Sequence, residues 1–206
     1  MSGRLAILSR IREIDRTDSR PVTRRYRRAG TLDAEQRTHL FCERVSDYRA
    51  DIQRVTASEL PEAIAASCAA HGAQNVAAPE GLPSAWRSFK LPFAIANTWI
   101  PHELDQLDGV VTGCTVAIAE TGTIVLTAGP REGARALTLV PDLHICVVEV
   151  AQIVELVPEG LAQIAELVRR QRRPVTMISG PSATSDIELS RVEGVHGPRS
   201  LVVLVV

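Results

Sequence analysis

Short apolar runs alternate with amphipathic segments along most of this chain, and that alternation limits the folds it can adopt. The runs of strand length are DIQRV, QNVAA, FAIAN, LHICVVEV, PVTMI and SLVVLVV. Several are bounded by Pro, Asn or Asp, as is typical of strands buried within a sheet. The segment PEGLAQIAELVRR predicts an amphipathic helix, and the residues expected to face inward are Leu161, Ile164, Ala165 and Val168. Strands that alternate with helices predict a layered α/β domain with a largely parallel sheet.

The N-terminal part differs from the rest of the chain. Leu5, Leu8 and Ile11 recur at three-residue steps, which predicts a short helix. Residues 15–33 follow with six arginines and little periodicity, and this pattern favours an exposed arm. Such an arm can clamp an acidic partner or a ligand phosphate, or it can simply lie over the domain or a neighbouring subunit. We therefore divide the chain into the helix and arm, residues 1–33, and a single domain, residues 34–206.

Composition argues against several classes of function. The formal net charge of −1 gives no reason to expect nucleic acid or an anionic membrane as a partner. No apolar run approaches the roughly 18 residues that a membrane helix needs, and the N-terminal residues lack a signal-peptide pattern, so we expect a cytoplasmic protein. The four cysteines form no C-x-x-C pair, which predicts buried free thiols, no metal site and no cofactor in this chain.

The first candidate loop lies within VAIAETGTIVLTAGP, where Thr121 and Gly122 separate two apolar runs and predict a hairpin turn. Glu120 is the one charged residue in this long apolar tract. A carboxylate in such surroundings is either paired or has its charged form disfavoured by desolvation, which suits a general base or a nucleophile. The alternative is an ordinary turn residue whose carboxylate is in water or bonded to loop amides.

A second candidate loop follows the run VTMI in the segment SGPSATSDIE. Gly180 and Pro181 predict a turn, after which Ser182, Thr184 and Asp186 can cap a helix or line a pocket. Ligands of open α/β sheets bind beyond the carboxyl ends of the strands, and hydroxyls with free backbone amides suit a phosphate or a carboxylate. Helix capping and ligand binding both stay open for this loop.

A third loop, EGVHGPRS, places His196 between Gly194 and Gly197 shortly before the last strand. A histidine in a glycine-rich loop near a strand end is a candidate for proton transfer. The alternative is a structural histidine that is bonded to a loop carbonyl. His144, in PDLHICVV, is expected to enter a strand, although it can also face the same cleft.

Four segments, in this order, resemble the LUD domain, the family of lactate-utilisation protein C. They are AIAETGTIVL, LVPDLHICVV, ISGPSATSDIE and GVHGPRSLVVLVV. The resemblance implies a three-layer α/β/α fold similar to those of sugar-phosphate isomerases, CoA transferases and formyl-folate cyclo-ligases. It also implies a role in oxidising L-lactate to pyruvate beside two partner proteins that carry iron–sulfur clusters. Many relatives have a basic residue after GPS, whereas this chain has Ala183, so this position supplies no positive charge to a ligand.

These observations lead to one main hypothesis and two alternatives. We expect a subunit of a lactate-oxidation system that binds a small carboxylate or phosphate-bearing ligand in a cleft and can form a homo-oligomer. The alternatives are a free-standing enzyme of the acyl or CoA transferase or isomerase type that uses Glu120, and a non-catalytic assembly subunit. The candidate catalytic residues are Glu120 and His196. The candidate ligand-binding residues are Thr121, Gly122, Thr123, Ser179, Gly180, Ser182, Thr184, Asp186, Glu188 and Gly197.

Overall fold

Ten strands and five α-helices are present in the computed structural model, which describes residues 3–13, 25–88, 91, 93–95, 100–181 and 197–206. The strands are β1 (Asp51–Arg54), β2 (Val76–Ala78), β3 (Ala94–Ile95), β4 (Gly109–Thr112), β5 (Val116–Ile118), β6 (Thr123–Leu126), β7 (Leu143–Val148), β8 (Ile153–Val154), β9 (Thr176–Ile178) and β10 (Ser200–Val205). The helices are α1 (Gly3–Glu13), α2 (Ala34–Asp47), α3 (Leu60–Ala70), α4 (Pro101–Leu104) and α5 (Val157–Gln171).

The central sheet has six parallel strands in the order β1-β10-β7-β4-β2-β3. The last strand of the chain lies inside this sheet, because β10 pairs with both β1 and β7. The strands β4 and β7 are buried along their whole length, which explains why their sequences are continuous apolar runs rather than alternating ones. The predicted α/β class with a largely parallel sheet is confirmed.

A second sheet has four strands in the order β8-β5-β6-β9. The strands β5 and β6 form an antiparallel hairpin, β9 pairs antiparallel with β6, and β8 pairs parallel with β5. The hairpin is predicted from the sequence, since a Thr-Gly pair separates two apolar runs. The sheet as a whole is not predicted, because β8 and β9 have only two and three residues and find their partners through tertiary contacts.

Helices and the second sheet cover opposite faces of the central sheet. On one face, Ile64 of α3 packs in a cluster with Ile145 of β7. On the other face, Phe41 of α2 and Ile124 of β6 share a cluster with Cys146 of β7. Ile145 and Cys146 contribute to different clusters because successive side chains of a strand point to opposite faces. The second sheet therefore lies beside α2, over the same face of the central sheet.

The helix α5 covers the outer face of the second sheet with only part of its apolar surface. Ile164 is buried in a cluster with Val116 and Ile118, whereas Leu161 and Val168 are 44% and 38% exposed. The prediction that the whole apolar stripe of α5 faces inward is therefore wrong for Leu161 and Val168. The second sheet has short strands and covers only one side of this stripe.

Two further elements are exposed. The N-terminal helix forms as α1, but it contains no buried residue. Of the run FAIAN, Ala94 and Ile95 form β3, which is exposed rather than buried because it is an edge strand of the central sheet. None of the helices in the described part of the chain is long and apolar enough to cross a membrane.

The cysteines are free thiols that serve as small core residues. Cys68, Cys114 and Cys146 are buried as predicted, and Cys42 is partly buried. Burial raises the pKa of Cys68 to about 11. A hydrogen bond with Cys146, together with burial, raises the pKa of Cys114 well above its usual range. Thiols that stay protonated are poor nucleophiles, so the thiol of Cys114 is not favoured as a reactive group.

His144 enters β7 as predicted and is completely buried. Its Nε2 lies 2.8 Å from Oγ1 of Thr112 on β4. Its Nδ1 has no hydrogen-bond partner among the described residues. Burial lowers the pKa of His144 to about 4, so the ring is neutral at pH 7 and contributes a polar pair to the interior of the sheet.

We expect the buried His144 to make the protein less stable in mild acid. The unfolded chain takes up a proton below a pKa of 6.5, whereas the folded chain does so only at about 4. The free energy of unfolding therefore falls as the pH falls through this window. The part due to this residue is on the order of 3 kcal/mol, and urea unfolding at a series of pH values measures it.

The double variant His144→Phe/Thr112→Val tests the cause of this pH dependence. It replaces both members of the polar pair by apolar groups of similar shape, which is tolerated better than the removal of one partner. It should lose the part of the pH dependence that His144 causes, whereas His102→Gln, at an exposed position of α4, should keep it. An equal fall in stability for the wild-type protein and the double variant would contradict the assignment to His144.

Candidate functional site

The turn between β5 and β6 and the loop after β9 meet at one end of the second sheet. The strands β6 and β9 are antiparallel, with Ile124 opposite Ile178. The next position along this ladder places Thr123 beside Ser179, whose Oγ atoms lie 2.8 Å apart. Oγ1 of Thr121 lies 2.7 Å from Oγ1 of Thr123. We call these three hydroxyl residues, from the turn and the loop, the hydroxyl chain.

The C-terminal part of α2 supports this turn and this loop. Gly122 has a φ of +60°, and a Cβ added to it would lie 2.8 Å from the carbonyl carbon of Arg44. Gly180 has a φ of +88°, and a Cβ added there would lie 2.8 Å from Cβ of Tyr48. Both positions require glycine because the backbone is left-handed and because α2 approaches so closely.

Glu120 is paired with a guanidinium rather than surrounded by apolar side chains. Its side chain is 42% exposed and forms an ion pair with Arg27. Its backbone amide donates a hydrogen bond to the carbonyl oxygen of Glu155 at 3.0 Å, since β5 runs parallel to β8 at this point. The sequence predicts that the carboxylate of Glu120 is either paired or desolvated, and in the structure it is paired and partly exposed. Arg27 begins a segment, residues 27–33, that we call the strap.

The strap is bound by two acidic residues at the start of α5. Glu155 is only 5% exposed, and its carboxylate accepts hydrogen bonds from the amides of Thr31 and Leu32, the latter at 2.7 Å. Glu159 accepts a hydrogen bond from the amide of Gly30 at 2.9 Å, and this bond is the largest cause of the lowered pKa of Glu159. The buried carboxylate of Glu155 is thus satisfied by the backbone of the strap.

Close packing and further hydrogen bonds fix the strap. A Cβ at Gly30 would overlap the side chain of Glu155, so no larger residue fits there without a shift. In addition, the guanidinium of Arg37 donates to the carbonyl oxygen of Leu32 at 2.8 Å and to that of Ile153 at 3.1 Å. The described part of the Arg-rich arm is therefore attached to the domain over β8 and the start of α5.

The remaining candidate residues divide into one that is described and five that are not. A Cβ added to Gly197 would lie 3.5 Å from the carbonyl oxygen of Pro181, so the approach to β10 passes beside the loop after β9. Outside the described residues lie Ser182, Thr184, Asp186, Glu188 and His196. Their roles stay predictions.

Sequence reasoning missed four residues that shape this site: Arg27, Arg44, Tyr48 and Glu155. Arg27 is one of six arginines in the arm, and nothing in the sequence distinguishes it from the others. Glu155 has a usable signal, since it is an isolated acid within the apolar stretch QIVELV. Arg44 and Tyr48 have no signal, because their contacts depend on how α2 packs beside the second sheet.

A second buried acid, Glu132, serves its own loop. It is 3% exposed, and its carboxylate accepts hydrogen bonds from the amides of Thr127 and Gly129 at 2.6 and 2.8 Å and from the hydroxyl of Thr115. These bonds close the loop after β6, at the opposite end of that strand from the hydroxyl chain. In the described part of the chain, no group of three or more His, Cys, Asp or Glu residues is placed to hold a metal ion.

The described site combines hydroxyl groups, a guanidinium and a carboxylate. The hydroxyls of Thr121, Thr123 and Ser179 can each rotate to donate to an oxygen atom of an anionic ligand. Glu120, in the same turn, can accept or return a proton. Arg27 presents a planar group of donors that matches a carboxylate or a phosphate. The arrangement therefore suits a small anionic ligand better than an apolar one.

Comparison with known proteins identifies a family and several relatives. The model of the LUD domain matches residues 41–206. A protein of Deinococcus radiodurans named lactate utilization protein C is 51% identical over 169 residues, which cover 82% of this chain and 78% of that protein. A protein of the same name from Shouchella clausii is 34% identical over 107 residues, which cover 51% of this chain and 46% of that protein. The match thus spans less than half of the second relative.

One solved structure has a closely similar fold. It is the crystal structure, at 1.70 Å resolution, of a DUF162 family protein from Deinococcus radiodurans. The two chains superpose with a TM-score of 0.74 at 41% sequence identity, over 85% of this chain and 99% of that one. The similarity covers almost the whole of the solved chain.

The variant Gly122→Ala should separate the turn from α2. A left-handed backbone costs an L-residue about 1–2 kcal/mol, and the clash of the new Cβ with the backbone of Arg44 should add about 1–3 kcal/mol. Gly72→Ala is the matched control, since Gly72 has a φ of +68° but nothing within 4 Å of an added Cβ. Urea unfolding should show a clearly larger loss of stability for Gly122→Ala. Equal losses would mean that α2 does not approach the turn closely.

Proposed function

Because this chain belongs to the LUD domain family, we propose that it acts in lactate utilisation, as a subunit of a system that oxidises L-lactate to pyruvate. Support comes from the relatives named lactate utilization protein C, one of which is 51% identical over 169 residues. The match to the family model includes Glu120 and the whole hydroxyl chain. Glu120 and the hydroxyl chain therefore lie in the part of the chain that carries the family similarity, whereas Arg27 lies before it.

Lactate oxidation releases a pair of electrons, and we place the iron–sulfur clusters that accept them in two partner proteins. Such clusters are bound by cysteine thiolates. In this chain Cys68 and Cys114 are buried, and burial and neighbouring groups raise the pKa of each thiol, which favours a packing role for them. On this proposal, the chain binds and orients the organic acid for its partners.

The hydroxyl chain is the observation that carries the proposed ligand site. Hydroxyl groups of Thr123 and Ser179, 2.8 Å apart, can turn to donate to the oxygen atoms of a carboxylate. Glu120 can then exchange a proton with the 2-hydroxyl group of lactate. His196 is a second candidate for this proton on sequence grounds, and the adjoining polar segment of residues 182–188 extends the proposed ligand wall on the same grounds.

One observation favours a second candidate function. The side chain of Glu120 is 42% exposed, so an acyl group can reach its carboxylate. A free-standing transferase would form a covalent acyl adduct at Glu120, which mass spectrometry of a trapped reaction would detect.

An assembly role, by contrast, would leave growth on lactate normal in a strain that carries Glu120→Gln, Ser182→Ala and His196→Ala together.

We expect Thr123→Val and Ser179→Ala to weaken the binding of L-lactate or pyruvate. Each variant removes a hydroxyl that we assign to the carboxylate of the ligand, and a hydrogen bond to a charged group contributes about 1.5–3 kcal/mol. The affinity should therefore fall by about 10-fold or more. Isothermal titration calorimetry of the purified chain measures this fall, with Thr176→Val, at the other end of β9, as the control that should bind normally.

Two outcomes separate the site from the wider function. Wild-type affinity in both hydroxyl variants, with unchanged thermal unfolding, would contradict the site assignment but not the role in lactate utilisation. The role itself is tested by co-purification with the two proposed partners, followed by lactate-dependent dye reduction with and without this chain. Dye reduction that does not depend on this chain would contradict the proposed function.

A further inference from the structure

Arg27 lies at a point of the proposed site where an anionic ligand needs a cation. We propose that Arg27 binds the carboxylate group of the ligand and makes the site selective for organic acids over neutral molecules. This inference rests on the function proposed above. It also assigns a role to the strap. The sequence alone allows two roles for this segment, a clamp for a ligand and a cover over the domain.

The charges around the turn make a cation necessary. A ligand that contacts the hydroxyl chain approaches the carboxylate of Glu120, which precedes Thr121 in the same turn. The carboxylate of Glu155 lies near the same guanidinium as that of Glu120, so the two acids together repel an anion that approaches it. Arg27 contacts both: one Nη atom pairs with Glu120, and the other lies 3.4 Å from Oε1 of Glu155. The guanidinium therefore offsets part of the repulsion that the two carboxylates exert on an anion.

The guanidinium of Arg27 is accessible to a ligand. Its side chain is 65% exposed although it contacts Glu120 and Glu155. A guanidinium has five N–H donors in a rigid planar group, and it binds a carboxylate through two parallel hydrogen bonds. Arg27 can therefore hold its two acidic neighbours and still donate to a ligand carboxylate from its exposed side.

The strap holds this arginine in position through bonds that do not involve its side chain. The amides of Gly30 and Leu32 donate to Glu159 and Glu155 at 2.9 and 2.7 Å. These anchors lie three to five residues after Arg27, in a part of the strap that is packed against the start of α5. Removal of the Arg27 side chain thus leaves the anchors of the strap in place, which makes the residue suitable for a substitution test.

The neighbouring arginines are engaged elsewhere. Arg44, whose backbone lies against Gly122, pairs with Asp47 of its own helix at 3.2 Å. Arg28, next in the strap, lies over the ring of Tyr26, with 5.3 Å between the guanidinium carbon and the ring centroid. Among the described residues, Arg44 and Arg28 make these other contacts, whereas Arg27 is paired with Glu120 directly. Arg28 is therefore a matched control: it has the same side chain on the same strap but contacts a different group.

The test compares a charged ligand with its neutral analogue. Isothermal titration calorimetry is carried out on the full chain with L-lactate and with L-lactamide, which lacks the carboxylate charge. We expect Arg27→Ala to weaken the binding of L-lactate by about 10-fold or more and to leave the binding of L-lactamide unchanged. Arg27→Lys should recover part of the loss, since it restores the charge but not the planar pair of donors. Arg28→Ala should bind both compounds as the wild-type protein does.

The remaining outcomes overturn the proposal in distinguishable ways. Unchanged or tighter binding of L-lactate by Arg27→Ala would show that Arg27 only holds the strap or blocks the site. Equal weakening for L-lactate and L-lactamide would indicate a general distortion of the site rather than recognition of the carboxylate. If the wild-type protein binds neither L-lactate nor pyruvate, the proposed ligand site fails together with this inference, whereas binding by the wild-type protein leaves that site standing and tests Arg27 alone.

Discussion

The buried carboxylate of Glu155 joins the parts on which the candidate site depends. Its oxygen atoms accept hydrogen bonds from two backbone amides of the strap and contact Arg27. The backbone carbonyl oxygen of Glu155 accepts a hydrogen bond from the amide of Glu120. A carboxylate that is only 5% exposed is costly to bury unless its hydrogen-bonding capacity is used. The strap supplies the donors that Glu155 requires, and Glu155 in turn places the strap beside the turn. The position of Arg27 on Glu120 follows from this mutual requirement.

The second sheet provides the frame for the same site. Antiparallel pairing of β6 with β9 and parallel pairing of β5 with β8 bring three chain segments to one end of a small sheet. Each segment delivers a different chemical group there: the turn contributes Glu120, the loop after β9 contributes Ser179, and β8 leads into Glu155. The close approach of α2 to Gly122 and Gly180 keeps the turn and the loop in a single arrangement. For the ligand site that we propose, such a preorganised arrangement lowers the entropic cost of binding an anion.

Much of the fold could be predicted from the sequence, because the spacing of apolar residues and the positions of turn-forming residues reflect local requirements. The continuous apolar runs of β7 and β10 predict strands buried on both faces, and the hairpin follows from Thr121 and Gly122 between two such runs. The failures have a common origin. The exposed residues Leu161 and Val168 of α5 and the exposed strand β3 have the composition of buried segments, and only the extent of the neighbouring sheet decides whether a partner covers them.

The sequence by itself determined the α/β class, the turn that carries Glu120, and the family to which the chain belongs, because each of these depends on short contiguous patterns. Only the tertiary structure decided that Glu120 is paired with a guanidinium, that the cation comes from one arginine among the six of the arm, and that Thr123 lies beside Ser179. These contacts join residues that are 93 and 56 positions apart in the chain. No local sequence pattern encodes contacts between residues so far apart in the chain. These contacts result from strand register and from the need of a buried carboxylate for hydrogen-bond donors.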